Sequence, residues 1–533
     1  MNTTDNLIPL PRHVTPLDGQ VFTLQPTARI IAEGAARTAA GQLQLLLQRG
    51  TGFELPIATH SSSGDISLEL VETLDGGPEA YGLTVTDDAI RLTAQAPAGF
   101  FNAVQTLRQL FPASVEQPLT PHGAPHATPD AGTWVIPGVV IHDAPRFQYR
   151  GLMLDVARSF FTVEEVKEQI DVMGQFKLNA LHLHLTDDQA WRIEIQPPAD
   201  NPSGLDYGNL TAVGGAVNHP GTGLGPGRTG FYTQEDFKDI ERYAAARNVL
   251  VVPEIDLPGH VNAALAAIPQ LNPDGRPQPM NTTGDVGYST LDAGLPVTYE
   301  FVREVLGQLA SITTGPYLHI GGDEALVTGH DNYVTMVREF ARIGAETGKT
   351  VVGWNEYAEV DLPDGAVVQY WHGGFDPVVE KAGAGSPVLM SPAATTYLDQ
   401  KYDPGSPIGL SWVEGGPFTW AEYYDWDPVQ GGLAEHQVLG VEGPLWTETV
   451  RGNRQAYWLQ YPRAVSLAEV AWSSRPARDL DGFRRRLGTL GERLSRQGVP
   501  FQEAPGVQWS ARPSDPFADT MGTNSDEYGT IEA

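Results

Sequence analysis

The eight residues Tyr317-Leu-His-Ile-Gly-Gly-Asp-Glu324 join an apolar run to two glycines and then to two consecutive carboxylates. The apolar run predicts a β-strand, and the glycines allow the backbone to bend where the strand ends. In a straight strand the side chains of Asp323 and Glu324 would point to opposite faces. At a bent strand end both can enter one pocket and share acid–base work on a substrate. The pair alone fits a cap on a following helix equally well, so the rest of the chain has to decide.

Seven further apolar runs resemble this strand. The eight predicted strands span 149–156, 178–185, 249–255, 317–320, 351–355, 366–371, 387–390 and 437–441. Segments with helical apolar spacing lie between or after them, at 163–177, 233–247, 298–311, 333–347, 457–470 and 481–497. This alternation predicts an α/β fold, a (β/α)8 TIM barrel. Because the helical cover of the sixth and seventh strands is weak, a doubly wound α/β sheet remains an alternative.

Polar and aromatic side chains follow seven of the eight predicted strands directly. In chain order they are Asp155 and Arg158; Asp187, Asp188, Trp191 and Arg192; Glu254, Asp256 and His260; Asp323 and Glu324; Trp354 and Glu356; Trp371 and His372; Trp446 and Glu448. Barrel enzymes place their chemistry at the carboxyl ends of the strands. We therefore expect a functional cleft at this end of the barrel.

The first 140 residues have a different pattern, which predicts a small α+β domain. Helices are expected near 35–50 and 100–111, beside a small antiparallel sheet with strands at 65–73, 81–86 and 89–95. The barrel domain is expected to span residues 141–500, followed by a polar and loosely ordered tail over 501–533. The segment 117–133 is predicted to be a linker, and the Gly- and Pro-rich insert 197–230 a loop over the cleft mouth.

Composition limits the ligands and the chemistry. The 533 residues include 34 Lys+Arg and 65 Asp+Glu, a net charge of −31. This charge disfavours nucleic acids and anionic membranes as partners and favours neutral or cationic ligands. The chain has no cysteine, which excludes disulfides, thiolate nucleophiles and cysteine-ligated metals. No signal peptide or membrane-spanning run is visible, so a cytoplasmic location is expected, although a chain trimmed of its leader would look the same.

Two kinds of site fit the predicted cleft. Carboxylates beside Trp354, Trp371 and Trp446 are typical of a sugar site, because tryptophan faces stack on the C–H faces of pyranose rings. The alternate residues His182 and His184 instead allow a metal site inside the barrel, as in amidohydrolases. The ligand set of that second hypothesis would be completed by His260, His319 and Asp323.

Several motifs together resemble one family. The segments are Phe147-Gln-Tyr-Arg-Gly-Leu-Met-Leu-Asp155, His184-Leu-Thr-Asp-Asp-Gln189, Pro253-Glu-Ile-Asp-Leu-Pro-Gly-His260, His319-Ile-Gly-Gly-Asp-Glu324, Gly353-Trp-Asn355, Tyr397-Leu-Asp399 and Trp446-Thr-Glu448. In this order they resemble glycoside hydrolase family 20, the β-N-acetylhexosaminidases. The resemblance covers about residues 140–475, and the first unit is similar to the small domain that precedes the barrel in that family.

The resemblance implies an exo-acting, retaining, substrate-assisted hydrolysis with no cofactor and no metal. Glu324 would be the general acid and base. Asp323 would orient the substrate's 2-acetamido group, whose oxygen attacks the anomeric carbon to form an oxazolinium ion. The acetamido group would be held by Tyr397 and walled by Trp354, Trp371 and Trp446. The resemblance assigns the sugar hydroxyls to Arg150, Asp399 and Glu448, and the surroundings of the acid to Asp187, Asp256 and His260.

Alternatives within and outside this resemblance remain. A related enzyme could release disaccharides, which requires a deeper pocket, and a silent sugar-binding module would bind without hydrolysis. Ser159 and Val261 stand where the family often has histidine and threonine, which affects fine substrate contacts rather than the reaction. The partner implied by the resemblance is a carbohydrate with a terminal β-linked N-acetylhexosamine.

Overall fold

The computed structural model describes residues 3–119, 132–199, 201, 203–216, 228–281 and 283–517. Most of the predicted linker at 117–133 and part of the insert 197–230 lie outside the described residues, as does the tail beyond residue 517. Within the described part of the insert, Gly208–Gly214 forms a short helix.

The N-terminal domain is built on a mixed sheet that has seven strands within the described residues. Its strands are His13–Thr23, Ile30–Ala32, Ile57–Ala58, Ile66–Leu70, Tyr81–Val85, Ile90–Ala94 and Val135–Asp143. The helices Arg37–Thr51 and Pro97–Leu110 contribute apolar faces to the same core. The predicted hairpin pairs Tyr81–Val85 with Ile90–Ala94 antiparallel. The expectation of an antiparallel sheet was wrong, because Ile66–Leu70 pairs in parallel with both Ile90–Ala94 and Ile30–Ala32.

The second domain is a closed barrel of eight parallel strands, numbered one to eight here in chain order. They are Tyr149–Asp155, Ala180–His184, Leu250–Glu254, Tyr317–His319, Thr350–Trp354, Val367–Tyr370, Val388–Met390 and Val438–Leu445. Strand eight pairs in parallel with strand one from Gly440 opposite Tyr149 to Leu445 opposite Leu154. This closure confirms the TIM barrel and excludes the doubly wound sheet, which has two open edges.

Helices surround the barrel where the sequence predicts them, with two differences. The longer described helices are Val163–Gly174, Gln234–Ala245, Pro296–Ile312, His330–Glu346, Asp376–Gly383, Asn453–Gln460, Arg463–Trp472 and Leu480–Gln497. The predicted helix 457–470 is divided at Tyr461-Pro462, since proline cannot donate the backbone hydrogen bond that a continuous helix needs. Strand seven is followed only by the short helices Ala393–Thr396 and Trp420–Tyr424, which accounts for the weak helical signal there.

Buried ion pairs join the two domains at the amino end of the barrel. Arg150 Nη2 lies 2.7 Å from Glu79 Oε1, and Lys177 Nζ lies 3.1 Å from Asp143 Oδ2. The hydroxyl of Tyr81 donates to the same Asp143 oxygen at 2.7 Å. Burial lowers the pKa of Lys177, and Asp143 opposes that shift. Buried pairs of this kind require both partners, so the domains are held in one arrangement.

The described part of the tail packs on the last helix, contrary to the loose tail expected. Phe501 is buried, and its ring centroid lies 4.6 Å from that of Trp509. The amide of Ser510 donates to the carbonyl of Gly488 in the helix at 2.8 Å. Apolar side chains among the polar residues therefore anchor this segment. Across the described residues, no helix combines the length and the apolar content that a membrane span needs.

Candidate active site

Two glycines after barrel strand four create the bend that the sequence predicts. Gly321 and Gly322 have φ angles of 64° and 110°, in the region that favours glycine. A Cβ on Gly321 would lie 1.7 Å from an oxygen of Asp256, and one on Gly322 would lie 2.0 Å from a ring carbon of Tyr357. The amide of Gly322 donates to Asp256 at 3.1 Å. Both positions therefore lack room for any side chain, and the bend is set by packing as well as by backbone freedom.

Asp323 and Glu324 leave this bend into one pocket of about 320 Å³. Glu324 has a φ of 43°, a left-handed conformation that is uncommon outside glycine and often found at functional sites. Asp323 is buried, whereas Glu324 is partly exposed. His260 Nε2 lies 3.7 Å from Asp323 Oδ2 and 3.5 Å from Glu324 Oε2. Both carboxylates thus share a compartment, as the bend predicts.

Several carboxyl groups in and behind the pocket lining influence one another's ionisation. Burial, reinforced by the charges of Asp256, Glu356 and Glu324 and opposed by His260, raises the pKa of Asp323 well above its usual range. Burial also raises the pKa of Asp256 to about 7 and that of Glu356 to about 7. Near neutral pH, protons are therefore shared among these groups. Oδ1 of Asp323 is buried and has no hydrogen-bond partner among the described residues.

Aromatic rings form a box beside the two carboxylates. Trp371 and Tyr397 are stacked with ring centroids 6.2 Å apart, and Trp446 lies 6.4 Å from Tyr397. Trp412 meets Tyr397 edge-on at 5.7 Å, and Trp354 lies 6.3 Å from Trp446 on its buried side. Flat, close-spaced walls of this type suit a planar amide and the C–H face of a pyranose ring.

Charged groups also line the pocket or lie buried behind its lining. Arg158 and Glu448 line it, and Arg158 Nη2 lies 2.8 Å from Asp187 Oδ2. Asp399 is buried behind the lining, and burial together with Glu448 raises its pKa to about 8. Gln400 donates to one oxygen of Asp399 at 2.8 Å, and the other oxygen has no partner among the described residues. These groups can hydrogen-bond ligand hydroxyls.

A chain of buried hydrogen bonds connects the pocket to the barrel core. His260 Nδ1 lies 3.1 Å from Asp187 Oδ1, and Asp187 Oδ2 lies 2.7 Å from His184 Nε2. His184 Nδ1 in turn contacts Oε2 of Glu254, whose other oxygen accepts from the indole of Trp354 at 3.0 Å. Glu254 therefore links the aromatic wall to His260, which faces Asp323 and Glu324.

The inner histidines are held by carboxylates, which accounts for their positions without a metal ion. His182 Nδ1 lies 2.9 Å from Glu442 Oε1, and its Nε2 lies 3.0 Å from Glu254 Oε2. Burial lowers the pKa of His182, but Glu442 and Glu254 together raise it to about 9. A protonated imidazole donates from both nitrogens and has no lone pair for a metal. This geometry favours the sugar site over the metal hypothesis.

Comparison with protein families identifies the chain. A model described as glycosyl hydrolase family 20, catalytic domain, matches residues 147–333 and 326–475. A second model, domain 2 of the same family, matches residues 4–144. The chain belongs to glycosyl hydrolase family 20. The expected resemblance is confirmed, the chain is a glycoside hydrolase, and the amidohydrolase hypothesis does not fit this membership.

Relatives of this family 20 chain match nearly its whole length. A β-N-acetylhexosaminidase of Cellulomonas fimi is 38% identical over 520 residues, covering 96% of this chain and 99% of that protein. The solved GH20 β-N-acetylhexosaminidase of Streptomyces coelicolor A3(2) is 39% identical with a TM-score of 0.87, covering 95% and 99% of the two chains. The Streptomyces plicatus N-acetyl-β-hexosaminidase in complex with Thio-NAglucal is 40% identical with a TM-score of 0.87, covering 95% and 98%.

The structure brings most of the predicted site residues of this family 20 chain together. Those that line the pocket are His260, Asp323, Glu324, Trp371, Tyr397, Trp446 and Glu448. Those buried behind the lining are Asp187, Asp256, Trp354 and Asp399. Asp187 contacts His184, His260 and Arg158 rather than the cavity, so it supports the pocket from behind.

Among the predicted site residues, Arg150 is the one that the structure places away from the pocket. It is the second residue of strand one, so it lies at the amino end of the barrel and pairs with Glu79. The carboxyl end of the same strand is Asp155, and the arginine that reaches the pocket is Arg158. Arg158 follows the end of a predicted strand, and this position in the sequence could have identified it as a pocket residue.

Two other residues, one in the pocket lining and one next to it, were not assigned a role from the sequence. Trp412 lines the mouth, but it lies in a long connection after strand seven with no motif or strand end to mark it. Glu356 follows strand five and accepts from the indole of Trp371 at 3.2 Å. Its position after Trp354 was visible in the sequence, whereas its closeness to Asp323 depends on the barrel.

Proposed function

We propose that this family 20 chain is an exo-acting, retaining β-N-acetylhexosaminidase that removes terminal β-linked GlcNAc or GalNAc from the non-reducing end of a carbohydrate. The observation that carries the proposal is the joint entry of Asp323 and Glu324 into one pocket beside a box of aromatic rings. The names of the relatives from Cellulomonas fimi and Streptomyces support the same activity.

The proposed reaction uses the substrate's own amide as nucleophile. The acetamido oxygen attacks the anomeric carbon while Glu324 gives its proton to the glycosidic oxygen, and the leaving alcohol departs. The product of this step is an oxazolinium ion on the sugar. Glu324, now ionised, takes a proton from a water molecule that opens the ring with net retention. An intramolecular nucleophile supplies an advantage of up to roughly 7–11 kcal/mol when it is well oriented.

Asp323 is proposed to orient the amide and to stabilise its charge. Asp323 lines the pocket, and its carboxylate can accept from the amide N–H of the substrate. Burial and neighbouring carboxylates raise the pKa of Asp323. The positive charge that develops on the oxazolinium ion favours the ionised form, so stabilisation is strongest as the transition state forms. Tyr397 and the tryptophans would prevent the amide from rotating away.

Release of one sugar at a time fits the pocket better than release of a disaccharide. The cavity of about 320 Å³ is at the small end of the range for ligand pockets. Arg158 and Glu448 line it, and Asp399 is buried behind the lining. Aryl glycosides of GlcNAc and of its β-linked disaccharide separate the two possibilities, and the disaccharide glycoside is expected to release aryl alcohol only after the outer sugar has left.

The test is the variant Glu324→Gln with aryl β-GlcNAc substrates of different leaving groups. Loss of the acid should lower kcat by about 10²–10⁴-fold with a poor leaving group and far less with a good one. Glu359→Gln, which changes an exposed carboxylate, is the control and should retain activity. Inhibition by a thiazoline mimic and a retained anomer in proton NMR are expected for the wild type. Binding of GlcNAc without turnover would instead indicate a sugar-binding module, and loss of activity in chelator a metal-dependent hydrolase.

A further inference from the structure

His260, Asp323 and Glu324 converge on one small space at the wall of the pocket. Nε2 of His260 lies 3.7 Å from Oδ2 of Asp323 and 3.5 Å from Oε2 of Glu324. One ligand atom from each of the three residues lies within 4.8 Å of the other two. A tetrahedral zinc ion with bonds of about 2.0–2.1 Å holds its ligand atoms about 3.4 Å apart. The histidine therefore lies close to the required distance from both oxygens.

The imidazole of His260 is oriented as a metal ligand. Its Nδ1 lies 3.1 Å from Oδ1 of Asp187, which fixes the plane of the ring. A carboxylate on the far nitrogen is the usual support for a histidine that binds a metal. Although His260 is only 3% exposed, its Nε2 has no hydrogen-bond partner among the described residues. This nitrogen is therefore available to a cation placed between it and the two carboxylates.

The charge around this space favours a divalent cation. Burial lowers the pKa of His260, whereas nearby carboxylates, first of all Asp187, raise it well above its usual range. An ion that binds Nε2 must displace a proton from it, which costs free energy. The same carboxylates attract a doubly charged ion more strongly than a proton. The nitrogens of His182, by contrast, lie 2.9 and 3.0 Å from carboxylate oxygens, which is shorter than the tetrahedral spacing.

The donor atoms select the kind of ion. One imidazole nitrogen with two carboxylate oxygens suits Zn²⁺, whereas Mg²⁺ and Ca²⁺ prefer oxygen ligands throughout. Three protein ligands leave a fourth position for water. His260, Asp323 and Glu324 all line the pocket, and the Glu324 side chain is 32% exposed, so an ion can reach them from solution.

We propose that His260, Asp323 and Glu324 form an inhibitory zinc site in the pocket. The binding of zinc does not depend on the proposed function, whereas its inhibitory effect rests on it. A zinc ion there occupies the oxygen with which Glu324 protonates the glycosidic oxygen, and it engages the carboxylate of Asp323 that accepts from the substrate amide. Zinc therefore lowers the activity, and a chelator restores it.

Equilibrium dialysis against ZnCl₂ tests the binding directly. The whole chain, without a histidine tag and stripped with chelator, is compared with His260→Gln and Glu324→Gln. Each substitution removes one ligand, and loss of even an outer-shell partner weakens metal affinity about 10–100-fold. We expect both variants to lose at least that factor in affinity for one zinc ion per chain.

His330→Gln is the matched control. His330 is an exposed histidine that lies 4.0 Å from the carboxylate of Glu359, and neither residue lines the pocket. Its zinc affinity should equal that of the wild type. Because Glu324 is partly exposed, Glu324→Gln should fold even if the buried His260→Gln does not. Unchanged zinc affinity of Glu324→Gln, or equally tight binding of Mg²⁺ and Zn²⁺ by the wild type, would overturn the inference.

Turnover of an aryl β-GlcNAc glycoside tests the inhibition. At a free zinc concentration of about ten times the dissociation constant, the rate at low substrate should fall about tenfold, and EDTA should restore it. The thiazoline mimic should displace zinc in dialysis, because both require Asp323 and Glu324. Zinc binding without any effect on the rate would overturn the inhibitory role. Zinc binding that is lost in both variants, in a protein that has no turnover with or without chelator, would overturn the proposed function and support the zinc site.

Discussion

Replacing Glu254 by glutamine tests whether the buried network below the pocket positions the catalytic groups. Oε1 of Glu254 accepts from the Trp354 indole at 3.0 Å. Oε2 contacts Nδ1 of His184 and lies 3.0 Å from Nε2 of His182. An amide nitrogen must replace one of these oxygens. It leaves either the indole or the two histidines without an acceptor, and it removes the charge that balances His182.

The expected losses follow from these contacts. Removing one partner of a buried ion pair costs about 3–5 kcal/mol of folding stability. The catalytic loss has a different origin, because Glu254 holds Trp354 directly and His260 through His184 and Asp187. A displacement of about 1 Å in a catalytic group can lower the rate about 10²-fold. We therefore expect kcat of Glu254→Gln to fall by about that factor.

Glu442→Gln is the matched control. Glu442 is equally buried in the barrel core and accepts from Gln369 at 2.8 Å and from the Tyr149 hydroxyl, with His182 at 2.9 Å. Within the described residues, these contacts of Glu442 do not include Trp354 or His184. Urea unfolding should show a similar stability loss in both variants, and kcat with an aryl β-GlcNAc substrate should fall about 10²-fold only in Glu254→Gln. Equal kcat losses at equal stability would refute the positioning argument.

Two further predictions concern the bend and the polar end of the pocket. Gly322→Ala should abolish activity and lower the free energy of unfolding by about 3 kcal/mol or more. The added carbon would lie 2.0 Å from the Tyr357 ring, and residue 322 has a φ of 110°, which favours glycine. Measurement of kcat and melting followed by circular dichroism test the two effects. The pKa of Asp399 is raised from 3.8 to about 8 in the folded protein, so the folded state binds this proton more tightly than the unfolded state does. Proton binding at Asp399 therefore stabilises the fold fully below about pH 3.8, and this stabilisation is lost as the pH rises through about 8. The wild type should therefore lose more stability than Asp399→Asn between about pH 5 and pH 9 in urea unfolding, and a constant difference between the two would contradict this assignment.

Strands and helices of the barrel were predictable because each is coded by local periodicity. Strand one was expected at 149–156 and is Tyr149–Asp155, and the helix expected at 163–177 is Val163–Gly174. That helix begins where Thr162 and Glu165 form a capping box, which is itself a local signal. The division at Pro462 was missed because apolar spacing continues across it, although the proline itself carried the signal.

The N-terminal sheet shows where local pattern fails. Strand His13–Thr23 is mostly exposed, so it has no alternation of buried and polar residues, and it was not predicted. Its partner Val135–Asp143 joins it across more than a hundred residues. Strand direction in this sheet was also mispredicted, because parallel and antiparallel pairing depend on connections between distant segments rather than on composition.

The residues of the site divide in the same way. Asp323 and Glu324 could be placed from the sequence because two glycines and two acids occupy adjacent positions, and the bend that joins them is local. Arg150 was assigned to the pocket although it lies near the start of strand one. The arginine that lines the cavity is Arg158, which follows the end of that strand. Trp412 and Glu356 reach the site only through the closure of the barrel.

By itself the sequence determined the alternation of strands and helices, the bend at Gly321 and Gly322, and membership of family 20. The tertiary structure alone decided which arginine lines the pocket and how far the carboxyl groups perturb one another. The physical reason is the sequence distance over which each kind of interaction acts. Hydrogen-bonding geometry and side-chain periodicity act over a few residues, whereas burial and charge interaction depend on distances between segments that only closure of the barrel sets.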